Sequence, residues 1–132
     1  MIVLDTHVLY WWLSERFDEL TPPAREAINR EEEAGEILVS SISAWEIALL
    51  LQKRRLRLSV DLHVWLEAAA EINGLRFVPV DNAIAVESSI LPGDLHGDPA
   101  DRIVTATARH FDAALVTKDR RLLSYPHVRT IW

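Results

Sequence analysis

Five short apolar runs do most to limit what this chain can become: IVL (2–4), ILV (37–39), FVPV (77–80), ALVT (114–117) and VRTI (128–131). Most are continuously apolar rather than alternating, as strands buried on both faces are. Helical stretches separate them. Residues 7–13 form a short one. Thr21 followed by Pro22 predicts a helix start with proline in the first turn, running to about Ala34. Further helices are expected over 43–54, 60–73 (stopping near Asn73-Gly74), 82–90, and from Pro99 to about Phe111 with Asp98 as N-cap. Strands alternating with helices define an α/β domain with a mainly parallel, about five-stranded sheet and helices on both faces. No linker, repeat or low-complexity segment interrupts residues 1–132, which read as a single domain.

Several function classes drop out at once. The chain has no cysteine, so disulfides, thiolate catalysis and cysteine–zinc sites are excluded. The opening MIVLDTHVLYWWL lacks a basic leader and is interrupted by Asp5 and His7, which argues against a signal peptide. No apolar run is long enough to span a bilayer, so a cytoplasmic protein without a membrane partner is expected. A net charge of −6 argues against coating nucleic acid by bulk electrostatics. The five histidines are scattered without helical ligand spacing, and no serine elbow or phosphate-cradling glycine loop is present.

Parallel α/β sheets bind ligands beyond the carboxyl ends of their strands, at a topological switch point. Asp5 directly follows IVL, and Asp119 follows ALVTK. Glu46 opens the helix after ILV, and Asp101 lies in the first turn of the helix before ALVT. If the sheet forms as read, four carboxylates converge at one edge. Each also has a local reading. Asp5 caps a helix, Ser43 and Glu46 have the S-x-x-E spacing of a capping box, Asp101 complements the helix dipole, and Asp119 starts a turn. Together they repel unless a cation neutralises them, and an all-oxygen set suits a hard ion, Mg²⁺ or Mn²⁺.

IVLDTHVL, SSISAWEIA, GDPADRIVTATA and LVTKDRRL, in that order and spacing, resemble the PIN domain, and more narrowly VapC-type toxins of bacterial toxin–antitoxin pairs. The resemblance covers essentially the whole chain; each motif is loose alone, and the ordered set is specific. It implies a three-layer α/β/α fold and a metal-dependent ribonuclease. Asp5, Glu46, Asp101 and Asp119 match the family's four acids, and Asp98 is an extra carboxylate. Thr117 matches the threonine before the fourth acid, where its hydroxyl orients the first. The resemblance also implies a cognate antitoxin and a toxin homodimer. One side chain cannot serve fully as both cap and site acid, and the set of motifs favours the site for Glu46.

On this reading Asp5 and Asp101 hold the ion, with Asp119 direct or through water, and Asp98 a further candidate. Glu46 is either a ligand or the general base. An acidic site repels RNA, so adjacent cations should grip flanking phosphates. Arg102, Lys118, Arg120 and Arg121 are the candidates, with a carboxylate-positioning salt bridge as the alternative for Arg102. The basic cluster QKRRLR (52–57) lies at the far end of the Glu46 helix and is a weaker candidate. Trp11 and Trp12 are adjacent, so one of them is expected on an exposed, partner-facing surface. Two other readings compete: a phosphoryl-transfer enzyme using Asp5, which lacks the expected second acid two positions on, and a non-catalytic interaction module of the same fold.

Overall fold

In the computed structural model, which describes residues 1–132, five strands form one sheet with every pair parallel. They are β1 Ile2–Leu4, β2 Ile37–Ser40, β3 Leu75–Val78, β4 Ala114–Val116 and β5 Thr130–Ile131, in the order β3-β2-β1-β4-β5. β3 lies two residues earlier than FVPV suggests. Pro79 has no N–H to give a ladder, so the strand stops before it, and Leu75 and Arg76 pair with Ile37 and Leu38 instead.

The chain lays β1, β2 and β3 outward in one direction, then returns to place β4 and β5 on the other side of β1. The switch point therefore falls between β1 and β4, whose carboxyl ends flank a crevice. Register brings Leu4 opposite Val116, and the Asp5 N–H donates to the Val116 carbonyl at 3.0 Å. Residues 5 and 117 thus emerge side by side at the same edge.

Seven α-helices connect the strands: α1 Thr6–Leu13, α2 Pro22–Ala34, α3 Ile42–Gln52, α4 Leu62–Ala70, α5 Asn82–Ser89, α6 Pro99–His110 and α7 Arg120–Leu123. A 3-10 turn spans Phe17–Glu19. Thr21 caps α2 through the Ala24 N–H, and Asp98 caps α6 through the Asp101 N–H, as expected of Ser/Thr/Asp N-caps. α4 ends at Ala70, earlier than expected. Gly74 then turns the chain into β3 at φ +82°, where a Cβ would press on the Glu31 and Glu32 carbonyls.

The anticipated capping box does not form. α3 begins upstream, at Ile42, whose N–H is taken by Ser40 Oγ at 3.2 Å. Ser43 and Glu46 therefore sit inside the helix, where the N–H groups they would have capped already belong to its first turn.

Alternate strand residues fill two cores, one on each face of the sheet. Ile2, Leu4, Ile37 and Val39 pack with Val8 of α1, Ile28 of α2 and Ile47 of α3. Val3, Leu38 and Leu115 pack with Ile84 of α5 and with Val104, Ala106 and Ala108 of α6. Each such aliphatic side chain contributes roughly 1.5–3 kcal/mol by leaving water. The small residues of α6 let it lie close to the sheet, which holds its N-terminus firmly over the switch point. No helix is long and apolar enough to cross a membrane.

Candidate active site

A cleft of about 540 Å³ opens at the carboxyl ends of β1 and β4. Asp5, Glu46, Asp98, Asp101 and Asp119 all line it, together with Thr6, Lys118, Arg55 and Arg121. Four separate chain segments therefore deliver carboxylates to one place.

Asp5 stands at the end of β1 and caps α1, its Oδ1 accepting from the Thr6 N–H at 2.9 Å. Its Oδ2 accepts from the Thr117 hydroxyl at 2.7 Å, and the same Thr117 oxygen receives the Asp119 N–H at 3.0 Å. One buried hydroxyl thus ties the first acid to the loop carrying the last. Burial pushes the Asp5 carboxyl above the ordinary carboxylate range, against these hydrogen bonds, and the charge of Asp101 adds to the rise.

Glu46 is joined to Ser43, but not through the backbone. Thr6 Oγ1 donates to Glu46 Oε1 at 2.5 Å and lies 2.9 Å from Ser43 Oγ. Thr6 has one proton and gives it to the carboxylate, so Ser43 donates into Thr6. This Ser43–Thr6–Glu46 relay turns the glutamate into the cleft. Burial pushes its carboxyl up to about 7, with Asp5, Asp101 and Asp98 reinforcing the rise and the Thr6 bond opposing it.

Asp101 faces the cleft from the first turn of α6. Burial raises its carboxyl, Asp98 and Asp119 raise it further, and a 2.6 Å contact between its Oδ2 and His96 Nε2 opposes them. Asp119 moves the other way. Arg121 donates to it from its backbone and guanidinium, at 2.8 Å to Oδ1 and 2.9 Å to Oδ2, and holds its carboxyl below the usual range. The Arg121 guanidinium also lies 3.4 Å from Asp101 Oδ2, so it spans two of the acids as a counter-ion. Asp98 is exposed and spends Oδ1 on its cap.

As they stand, no three of these side chains close around a common point that an ion would fill. The donor chemistry nevertheless fits a hard divalent cation. The groups offer only carboxylate and hydroxyl oxygen, three of the carboxyls are held above their ordinary range by burial and mutual repulsion, and Arg121 already supplies positive charge to two acids.

Of the four cations expected to grip phosphate, two reach the cleft. Lys118 does so with its ammonium 5.4 Å from the Trp11 ring, and Arg121 does so as described. Arg120 is exposed outside it. Arg102 must be corrected. Its guanidinium donates to the carbonyls of Ser88 at 2.8 Å and Leu95 at 2.9 Å, fastening the α5–α6 connection rather than meeting either a phosphate or a carboxylate. Arg55 was undervalued by its distance along α3. That helix ends with the Arg54 N–H on Leu51 O and the Arg55 N–H on Leu50 O, with Arg54 at φ +57°. The chain reverses there, and Arg55 lines the cleft beside Glu46. Thr6 and His96 were also missed. Thr6 directly follows Asp5 and His96 lies two residues from Asp94 and Asp98, but nothing in their spacing shows which way a side chain turns.

A doubly wound sheet with a carboxylate-lined crevice at its switch point is a specific combination, and comparison with known proteins gives it a family. The PIN domain matches residues 2–128. Over 133 aligned positions the chain is 41% identical to Ribonuclease VapC22 of Mycobacterium tuberculosis, covering 99% of this chain and 98% of that protein. Solved structures of the same fold include VapBC2 from Rickettsia felis bound to a promoter DNA fragment, with TM-score 0.68, 16% identity and 98% and 97% of the two chains covered. Another is DNA-bound VapBC from Salmonella typhimurium, with TM-score 0.66, 19% identity and the same coverage. The chain belongs to the PIN domain family.

Proposed function

We propose that this chain is a divalent-metal-dependent endoribonuclease and the toxin of a toxin–antitoxin pair. One observation carries the chemistry: five carboxylates from four chain segments line one cleft at the switch point, three of them with raised pKa. The 41% identity to a ribonuclease supports RNA as the substrate.

Asp5, Asp101 and Asp119 would hold Mg²⁺ or Mn²⁺, with Asp98 at the rim a weaker donor. Bound there, the ion would neutralise charge on the phosphate and lower the pKa of a bound water. Glu46 presents Oε2 to the cleft side of its relay, since Oε1 is engaged by Thr6. Oε2, outside the Thr6 bond, is the general base in this reading. Thr117 fixes Asp5, and His96 fixes Asp101. Lys118, Arg55 and Arg121 line the cleft and would hold flanking phosphates.

The rival readings fit less well. An Asp5 phosphoacceptor would need a second acid two positions on, and His7 stands there. A purely non-catalytic module has no use for three partly buried carboxylates, each of which destabilises the fold.

The antitoxin surface belongs on the early helices, but not on Trp12 as an exposed anchor. Trp12 is only 9% exposed and forms part of the core. It floors a hollow of about 160 Å³ with Phe17, Leu20 and Ile28, rimmed by Arg25 and Asn29, which suits an apolar side chain followed by an acidic one. Toxin homodimerisation and a cytoplasmic site of action complete the proposal.

The test is cleavage of RNA by purified protein. EDTA should abolish it, and Mg²⁺ or Mn²⁺ should restore it. Asp5→Asn and Asp101→Asn should each lose about a hundredfold or more. Cleavage surviving chelation, or surviving both substitutions, would reject the proposal.

A further inference from the structure

Beside the acidic cleft lies a second hollow, of about 340 Å³, in the size range of small-ligand sites. Its walls come from α3 and from the N-terminal turn of α6. Trp45 and Leu49 of α3 and Lys53, the residue that caps its end, follow one another at four-residue spacing, and Pro99 and Ala100 line the same hollow. His7, Glu46, Arg55 and Asp98 line both hollows, so the two are continuous.

Trp45 is the unusual member. It is 53% exposed, directly precedes Glu46, and contributes to neither core. The chain's other tryptophans have a structural place. Trp12 is in the core, Trp65 and Trp132 pack against it, and Trp11 packs against it while its ring edges the acidic cleft under Lys118. Trp45 presents an indole to solvent beside the candidate general base.

Two cations line the hollow, Lys53 and Arg55, and neither is held in an ion pair. The surrounding acids are Glu46 and Asp98, both belonging to the shared boundary with the cleft. The hollow therefore offers an aromatic face, an apolar wall and two unpaired positive charges, leading directly into a site for phosphodiester chemistry. A nucleobase joined to phosphates matches all three, because every base has a π-face and its backbone is anionic. An apolar peptide would leave the two cations unanswered.

Resting on the ribonuclease reading above, we infer that Trp45 is the stacking platform for the nucleobase next to the scissile phosphate, with Lys53 and Arg55 holding that nucleotide's phosphates. The hollow thus makes Trp45 a positioning and specificity residue for single-stranded RNA. It sets which unpaired nucleotide is seated beside the acids, while the acids themselves do the chemistry.

The experiment measures cleavage kinetics and, in an Asp5→Asn background, RNA affinity by fluorescence anisotropy. The probe is an unstructured oligoribonucleotide spanning a mapped cut site, with matched versions carrying one abasic position on either side of the cut. Trp45→Ala should raise KM about tenfold with kcat little changed, and Trp45→Phe should keep most of the affinity, since stacking on an aromatic ring is worth that order. One of the two abasic probes should bind wild type and Trp45→Ala equally, which a merely structural tryptophan would not produce. Melting curves and sedimentation accompany each variant. Equal RNA affinity of wild type and Trp45→Ala overturns the inference. So does conversion of a dimer to monomer, or loss of antitoxin binding alone, since each gives the indole to another occupant. If wild type cleaves no RNA in Mg²⁺ yet binds it through Trp45, the ribonuclease reading falls and the stacking site stands.

Discussion

Glu46 shows how two local rules can compete for one residue. S-x-x-E spacing favours a cap, and the acid constellation favours a site. In the structure Thr6 accepts a hydrogen bond from Ser43 and donates one to Glu46. Consequences follow for stability. The folded carboxyl, pushed to about 7, holds its proton more tightly than the unfolded one at its ordinary 4.5. Stability from this group is therefore present below about pH 4.5 and is lost as pH rises through about 7. Glu46→Gln keeps an acceptor for Thr6 and removes the charge. Without metal, it should melt above wild type at about pH 8 and converge with it near pH 5. Solvent reaching the half-buried carboxyl limits the gain to on the order of 1 kcal/mol. Cleavage should fall about a hundredfold in the same variant if Glu46 is the base. A variant that melts lower at the alkaline end would mean that the charge is stabilising after all.

Helix ends are the most informative feature at the scale of elements. Three helices finish in the same way. In α1, α3 and α6 the N–H pair runs 6→1 and 5→2, with Glu15, Arg54 and Asp112 in the left-handed region at φ 56°, 57° and 50°. Glycine is the usual residue there, and its absence hides the turn from a reader of the sequence. That is why Arg55 looked remote from the acids. Glu15 lies away from the cleft and tests the point cleanly. Glu15→Gly removes left-handed strain but loosens the unfolded chain, so it should raise stability by roughly 0.5–1 kcal/mol, read by denaturant melts. A loss would show that the Glu15 side chain stabilises more than its backbone strains. By contrast, the strands were legible because buried parallel strands are apolar throughout, and Thr21-Pro22 and Asp98-Pro99 announced their helices. The acids were legible because strand ends mark the switch point. Their supporting hydroxyls and His96 were not, because burial and side-chain direction are set by packing between distant segments. The short α7 and the 3-10 turn are too brief for any periodicity to appear.

For the whole molecule, the cleft makes stability depend on pH and on metal together. Asp5, Glu46 and Asp101 are all raised, whereas Asp119 and, away from the cleft, Glu31 are lowered. The three raised groups contribute stability at low pH that is lost as pH climbs through their folded values, whereas the Asp119 contribution is present above its ordinary 3.8. The contributions of Asp119 and Glu31 are in place above their ordinary values of 3.8 and 4.5, so the raised groups govern the higher range and the metal-free protein should melt progressively lower between about pH 4.5 and 7. On the proposed reading Mg²⁺ would bind the assembled cleft and not the unfolded chain, and should reverse the loss at neutral pH, by about 2.7 kcal/mol at a hundredfold excess over Kd. Calorimetric scans with EDTA and with Mg²⁺ decide this. A metal-free melting temperature that rises between pH 5 and 7 would overturn it.

The Thr117–Asp5 hydrogen bond also has a meaning in time. It joins residues 112 positions apart, and Asp119 lies further along the chain again. At roughly 5–20 residues per second of synthesis, about 6–23 s separate the appearance of Asp5 from that of Asp119. During that interval β1 has β2 beside it but no β4, and the first acid has neither its hydroxyl partner nor the acids of α6 and α7. On the proposed assignment, a product broken off before residue 101 would lack two of the four acids, and activity would appear only when the last quarter of the chain folds back against the first strand.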